Sequence, residues 1–264
     1  MKKKQLNLTS GPILRTLSEL ALPIMASSFL STAYNITDMA WIGMLGSKAV
    51  AGVGVGGMYV WLSQGLSSLA RMGGQVNMAH SLGRGDQKTA AGFAQAALQL
   101  TILFSLLVTL ISMLFTNPLL QFFALNDAET YNSARIYMRI TCGLILFSFL
   151  SQVLTGLFTA QGDSKTPLKA NFFGLILNMI LDPLLVLGVG PFPRLEVIGA
   201  AVATVTAQIV VLLILVAEIL RDHGEANVLH KIRLLSRPDI ACLKGVFRIG
   251  TLLHFREAFT VSSP

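Results

Sequence analysis

Charged residues are scarce in this chain. They account for 12% of its 264 residues, while hydrophobic residues account for 53%. Soluble domains carry about 25% charged residues. Because so few polar groups could not cover so much apolar surface in water, the composition excludes an ordinary soluble domain and indicates an integral membrane protein.

Cysteine is also rare. Cys142 lies in an apolar block and Cys242 in a basic segment, so the two residues predict neither a disulfide nor a metal site. The chain further lacks a nucleophile–base pair and a glycine loop that would bind phosphate. These absences argue against an enzyme and predict no resident cofactor.

The apolar residues fall into six blocks, separated by turns that contain Gly, Pro, Asn or Asp. A helix needs about 20 residues to cross ~30 Å of hydrocarbon, and each block is close to that length or longer. The predicted spans are Ile13–Met44, Val50–Met78, Thr89–Phe115, Thr130–Thr159, Lys169–Leu187 and Val197–Leu220. The sequence therefore predicts an all-α, polytopic membrane protein. Its six-transmembrane-helix bundle occupies residues 13–221, between an N-terminal segment at 1–12 and a basic tail at 222–264.

Lysine and arginine are distributed unequally between the two sides of the predicted bundle. Fifteen of the 20 fall on the side of the N-terminus and three on the opposite side. Because basic residues are enriched on the cytoplasmic side of membrane proteins, we expect the N-terminus and the tail to be cytoplasmic. The protein is then a multi-pass protein of the cell (inner or plasma) membrane. Its net charge of +7 faces anionic lipid and requires no nucleic-acid partner.

A five-residue motif occurs twice. Gly85–Thr89 and Gly162–Thr166 share the pattern G-D-x-K-T, and both fall in predicted cytoplasmic turns. Repeated hairpins are common in transporters, so the second occurrence of this motif is consistent with an internal repeat.

Two aspartates each lie alone inside an apolar block. A charge at the centre of a bilayer costs about 2.5–3.5 kcal/mol on insertion scales, so such groups usually mark an ion or substrate pathway. Asp38 shares a helix face with Tyr34 and Asn35, and Asp182 shares one with Asn178. These residues are predicted to surround a polar cavity.

Thr204 adds a hydroxyl from the last span. Together with the two aspartates and Asn178 it completes a set of oxygen ligands for a proton or a cation, with sodium as the metal that Asp38, Asn178 and Asp182 could hold. The alternative is that both aspartates are structural, each hydrogen-bonded to a neighbouring helix or paired with Arg71 or Arg139, the arginines within the spans.

Pro23 lies in the first span. It removes a backbone donor and clashes with the preceding turn, so it gives that helix a point at which to bend.

Six segments, in order, carry a family resemblance. ELALPIM, NITDMAWIGMLG, HSLGRGD, TAQGDSKTP, NMILDPLLVLG and VIGAAVATV resemble the N-terminal half of the multidrug and toxic compound extrusion (MATE) transporters. The first-helix carboxylate is similar to that of the DinF-like branch. The resemblance implies a twelve-helix protein in two lobes, which exports organic cations or other amphipathic compounds in exchange for protons or sodium.

The resemblance also implies roles for individual residues. Asp38 matches the family's first-helix carboxylate, Tyr34 an aromatic residue near the cavity, and Pro23 the proline at which the first helix bends. The positions that match the cation-binding set of the N-terminal lobe are Asn178, Asp182 and Thr204.

The chain departs from this pattern by holding one lobe. Beyond Phe247–Gly250, where the family's seventh helix begins, the sequence is polar, and we expect a truncation or frameshift after about residue 250. The missing C-terminal lobe is then a required partner. Two alternatives remain open. One is a lipid-linked precursor flippase of related architecture, which a cavity role for Arg71 and Arg139 would favour. The other is a membrane fragment that does not transport.

Overall fold

The computed structural model describes residues 13–191, 193–222, 228–232 and 239–261. The described residues form helices joined by turns, with no strand among them, so the all-α prediction is confirmed. The helices are α1 (Ile13–Gly43), α2 (Ser47–Gly83), α3 (Gln87–Leu114), α4 (Thr116–Gln121), α5 (Ala128–Gly143), α6 (Ile145–Ala160), α7 (Lys165–Val186), α8 (Val197–Arg221) and α9 (Ile240–Val261), and a 3-10 turn covers Val228–Lys231.

Each of the six predicted spans corresponds to a helix or a pair of helices. Among the described residues, α3, α7, α8 and the pair α5–α6 are long and apolar enough to cross a membrane. Helices α1 and α2 have 31 and 37 residues and are long enough to cross a membrane, but their described residues are less apolar. The physical reason is that both contribute polar residues to a cavity, which shields these groups from lipid.

The fourth predicted span is wrong as a single helix. Helices α5 and α6 are bent by 49° at Leu144, directly after Gly143. The break interrupts the helical hydrogen-bond ladder, and the hydroxyl of Thr109 on α3 donates to the carbonyl of Cys142 at 3.0 Å. A glycine at the break and an outside donor together make the bend tolerable.

Two further helices lie where no helix was predicted. Helix α4 occupies part of the predicted connector after α3, and α9 lies in the tail. Helix α9 packs along α2, where the amide of Asn77 donates to the carbonyl of Gly245 at 3.2 Å and Val246 is fully buried. The described part of the tail is therefore docked on the bundle.

The two G-D-x-K-T motifs form the same structure. Gly85 and Gly162 have φ of 77° and 81°, the left-handed conformation that ends a helix and favours glycine. The following aspartate begins the next helix. The carboxylate of Asp86 accepts from the backbone of Thr89 at 3.0 Å, and that of Asp163 accepts from the backbone of Thr166 at 3.0 Å. The motif thus forms a turn that ends one helix and caps the start of the next.

Helix α2 is the centre of the bundle and packs against α3, α5, α6 and α9. Its contact with α5 depends on small residues. A Cβ at Gly52 would lie 2.8 Å from the carbonyl oxygen of Thr130, and one at Gly56 would lie 2.9 Å from that of Ala134. The two backbones approach this closely because both positions lack a side chain.

Candidate functional site

A cavity of about 840 Å³ lies between α1, α2, α5, α6, α7 and α8. It is elongated, since Val53 and Arg71 of α2 both line it and are about 27 Å apart at a rise of roughly 1.5 Å per residue. Asp38 and Tyr137 mark the end near Val53, whereas Arg71 marks the other. We call these the Asp38 end and the Arg71 end.

The structure brings the two predicted aspartates together at the Asp38 end. Asp38 lines the cavity and is 7% exposed, while Asp182 lies behind the wall and is 0% exposed. The two are close enough for their charges to interact. Asn178 is equally buried, and its amide donates to the Asp182 carboxylate at 3.2 Å. Packing of α1 against α7 creates this arrangement.

Several oxygen atoms in this cluster have no hydrogen-bond partner among the described residues. They are Tyr34 Oη, Asp38 Oδ1, Asn178 Oδ1, Asp182 Oδ2 and Thr204 Oγ1. A buried polar atom without a partner is costly, and five converging oxygens form a ligand set suited to a proton or a small cation. We call these five residues the acidic cluster.

Thr204, Tyr34 and Asn35 all line the cavity. The Thr204 hydroxyl lies near the phenols of Tyr34 and Tyr137. Nevertheless, the Tyr34 hydroxyl has no hydrogen-bond partner in the part of the chain that the structure describes. Tyr137 was not predicted, because it lies between Arg135 and Arg139 in the less apolar first half of the fourth predicted span.

Pro23 is placed apart from the cluster. It is buried within α1, about 22 Å from Asp38 along the helix axis, and does not line the cavity. Pro23 would therefore affect the acidic cluster only through a change in the shape of α1. The bend of α1 at Pro23 stays a prediction.

The alternative in which the two aspartates pair with Arg71 or Arg139 is not seen in the structure. In the described part of the chain, neither Asp38 nor Asp182 forms a salt bridge. Arg71 lines the cavity, whereas Arg139 is exposed away from it and its Nε lies 3.5 Å from the Thr116 hydroxyl. Pairing of the aspartates with these arginines is therefore not seen.

A second polar group, which the sequence analysis did not single out, lines the middle of the cavity. It consists of one carboxamide each from α2, α6, α7 and α8, namely Gln64, Gln152, Asn171 and Gln208. We call these four residues the amide belt. The sequence signal was a polar amide within an apolar span, but it did not show that the four amides line one cavity.

Helices long and apolar enough to cross a membrane, packed around a polar cavity, are typical of an integral membrane protein. A family model described as MatE matches residues 23–184, more than half of the chain. The chain belongs to the MATE family. Assignment to the DinF-like branch stays a prediction.

The chain is similar to transporters from several bacteria. It is 31% identical to the "Probable multidrug resistance protein NorM" of Thermotoga maritima, over 75% of this chain and 42% of that protein. It is 29% identical to the FAD transporter of Shewanella oneidensis, over 80% of this chain and 46% of that protein.

Solved structures show the same fold. An outward-facing multidrug resistance MATE family transporter of the MOP superfamily superposes with a TM-score of 0.84 at 24% identity, covering 98% of this chain and 56% of that one. A MOP superfamily transporter from Pyrococcus furiosus superposes with a TM-score of 0.85 at 24% identity, with the same coverage. The chain thus spans about half the length of the relatives that it matches.

Proposed function

We propose that the chain is one lobe of a secondary antiporter that exports drug-like amphipathic compounds in exchange for protons or sodium. It acts as a transporter and not as an enzyme. The observation that supports this proposal is the acidic cluster. In it, Asp38 on the cavity wall and the buried Asp182 behind it are close enough for their charges to interact, and five polar oxygens have no hydrogen-bond partner among the described residues.

The coupling follows from electrostatics. Two carboxylates in one low-dielectric pocket repel each other, and each is costly to keep charged. Binding of a proton or a sodium ion relieves both penalties. Because Asp38 lies on the cavity wall, its neutralisation also changes the polarity of the surface that a substrate contacts.

Transport then requires only that the two facing states of the protein differ in affinity for the coupling ion. Loading of the acidic cluster from outside favours bending of α1 near Pro23 and release of substrate. Unloading toward the cytoplasm resets the cavity. A second lobe would supply the opposite wall, so this mechanism belongs to the assembled transporter.

We further propose that the protein lies in the cell (inner or plasma) membrane with the N-terminus in the cytoplasm. The unequal distribution of lysine and arginine supports this orientation. The G-D-x-K-T turns then lie on the cytoplasmic side, and the salt bridges of Lys48 with Asp127 and Glu129 lie outside.

The test is coupled efflux in cells that express the complete coding region and lack other exporters. Asp182→Asn keeps the size of the side chain but removes the charge. We expect gradient-driven efflux of fluorescent amphiphiles to fall by about tenfold or more, with unchanged amounts of protein in the membrane. Asp86→Asn is the matched control, since asparagine also begins helices well. Unchanged efflux in Asp182→Asn would contradict the proposed coupling site.

Family membership favours the exporter over the flippase. The flippase alternative relied on both span arginines facing the cavity, and Arg139 does not. The chain alone could still be a fragment that does not transport. A comparison of efflux by this chain alone with efflux by the complete transporter would decide that point.

A further inference from the structure

The acidic cluster is covered on one side by a group of apolar side chains. Ile42 follows Asp38 by about one turn of α1, and Val186 follows Asp182 by about one turn of α7. These two side chains pack with Val53 of α2 and with the start of α8. The buried aliphatic members of this group, which we call the apolar plug, are Ile42, Val53, Val186, Val197, Ala200 and Ala201.

The apolar plug closes the cavity at the Asp38 end. Val53 is a member of the plug and lines the cavity, and Tyr137, which packs in the same cluster, lines the cavity as well. Just beyond the plug, α1 ends at Gly43, while α8 begins at Val197. The plug therefore lies between the cavity and this end of the bundle, which faces outside in the proposed orientation.

The turn between α7 and α8 holds the plug together. The backbone of Leu195 donates to the carbonyl of Leu185 at 2.9 Å, and that of Glu196 donates to the carbonyl of Val186 at 3.2 Å. A Cβ at Gly199 would overlap the carbonyl oxygen of Leu185. The start of α8 thus rests directly on the last turn of α7, with no room for a side chain between the two backbones.

The chemistry of the plug makes it a barrier to ions. All six of its side chains are hydrocarbon, and each of the six residues is at most 6% exposed. Small apolar spaces stay dry because water finds no hydrogen-bond partner in them, and a dry apolar constriction blocks ions. By contrast, Tyr34, Asp38 and Thr204 line the cavity. The cavity is therefore the polar approach to the buried Asp182.

We propose that the apolar plug seals the acidic cluster from outside, so that the coupling ion enters and leaves through the cavity that the substrate also uses. The inference rests on the proposed antiport and specifies the path of its ion. A substrate in the cavity then hinders ion exchange at the cluster. When the cavity of the assembled transporter faces the cytoplasm, the plug separates it from the outside. Loss of the seal in that state would let ions cross without substrate.

Labelling of introduced cysteines tests the seal and needs no transport. The purified full chain in lipid nanodiscs is treated with a water-soluble maleimide, and the unaltered chain corrects for Cys142 and Cys242. Asn35 lines the cavity, whereas Ile42 lies two turns nearer the end of α1. Because labelling requires a solvated thiolate, we expect Asn35→Cys to react at least about tenfold faster than Ile42→Cys.

A leak assay tests the consequence of the seal. The complete transporter is placed in liposomes with an imposed proton or sodium gradient and no substrate, and an enclosed dye for that ion follows its entry. Ile42→Asn introduces an amide that can hold water in the plug, so we expect the leak to rise by about tenfold or more. Ile42→Val keeps the plug apolar and should behave as the wild type.

A matched control separates this effect from general damage. Leu215 is as buried as Ile42 but lies in α8 outside the plug, so Leu215→Asn should not leak. Circular dichroism and size-exclusion chromatography check that each variant is folded. If Ile42→Asn does not fold, Ile42→Thr supplies a polar group with nearly the original shape.

Three outcomes would overturn the inference. They are labelling of Ile42→Cys as fast as that of Asn35→Cys, a wild-type leak in the folded polar variant of Ile42, or an equal leak in Leu215→Asn. Failure of the proposed antiport is distinguishable, since it would appear as unchanged efflux in Asp182→Asn. The labelling result does not depend on that efflux.

Discussion

At the scale of single residues, the chain tolerates polar groups at membrane depth only where other groups surround them. Asp38 and Asp182 could be predicted because a lone carboxylate in an apolar block has few explanations other than function. The amide belt could not be predicted, because a glutamine in a span can simply hydrogen-bond to a neighbouring helix without lining a cavity. Which helix faces it depends on packing, which the sequence does not show.

Gly156 provides a prediction at this scale. Gly156→Ser should push the Arg71 side chain away from α6 and lower the free energy of unfolding by about 1–3 kcal/mol, the usual cost of overpacking a close contact. Thermal unfolding in detergent measures the change.

Gly54→Ala is the matched control. Gly54 also lines the cavity, but nothing lies within 4 Å of the Cβ that alanine would add. Gly54→Ala should melt like the wild type, and wild-type stability of Gly156→Ser would contradict the close contact between position 156 and Arg71.

At the scale of helices, the same cap begins several elements. Asp86, Asp127 and Asp163 each accept a hydrogen bond from the backbone of a threonine three residues later. The pattern D-x-x-T is visible in the sequence, although the spans were predicted from their apolar blocks. The starts of α3, α5 and α7 lie within a few residues of their predicted positions.

The sequence analysis did not predict the break between α5 and α6, helix α4 or helix α9, and each has a physical explanation. The break between α5 and α6 lies in a continuous apolar run, and glycine is common in membrane helices, so Gly143 was no clear signal. Helix α4 contains Pro118, which is tolerated because it lies in the first turn. Helix α9 is too polar for a span but is held by its contact with α2.

Removal of one cap tests this account of helix starts. Asp163→Ala should lower the free energy of unfolding by about 1 kcal/mol, since it leaves backbone donors of α7 without their partner. Thermal unfolding in detergent measures the change. Ser164→Ala is a suitable comparison, because the Ser164 hydroxyl is buried without a described partner and its loss should not destabilise the protein. Equal destabilisation by both substitutions would argue against the cap.

The Asp127 cap should also make stability depend on pH. Hydrogen bonds from the backbone and hydroxyl of Thr130, together with Lys48, lower the pKa of Asp127 from its ordinary value. A carboxyl with a lowered pKa in the folded state stabilises the protein above its unfolded pKa, and this contribution is lost as the pH falls through the folded pKa.

Asp127→Asn keeps a capping side chain but does not titrate. Between about pH 6 and about pH 3 we expect the melting temperature of the wild type to fall more than that of Asp127→Asn, by an amount that added salt reduces. Parallel melting curves over this range would contradict the effect of Asp127.

At the scale of the whole molecule, the chain forms one lobe around a cavity that has Asp38 near one end and Arg71 near the other. The family and the all-α fold could be predicted from ordered motifs and apolar blocks, whereas the role of the acidic cluster stays a prediction. The separation of these two charged residues could not be predicted. It arises because α2 carries Arg71 far along the cavity from the aspartates of α1 and α7.

The central claim is that Asp38 and Asp182 act as one ion-binding site. Transport by the complete protein in liposomes, driven by an imposed proton or sodium gradient, tests it with Asp38→Asn, Asp182→Asn and the double variant. Residues that act as a unit have non-additive effects. We predict that each single substitution abolishes gradient-driven transport and that the double variant is no worse. Wild-type transport in either single variant, or losses that multiply in the double variant, would contradict the claim.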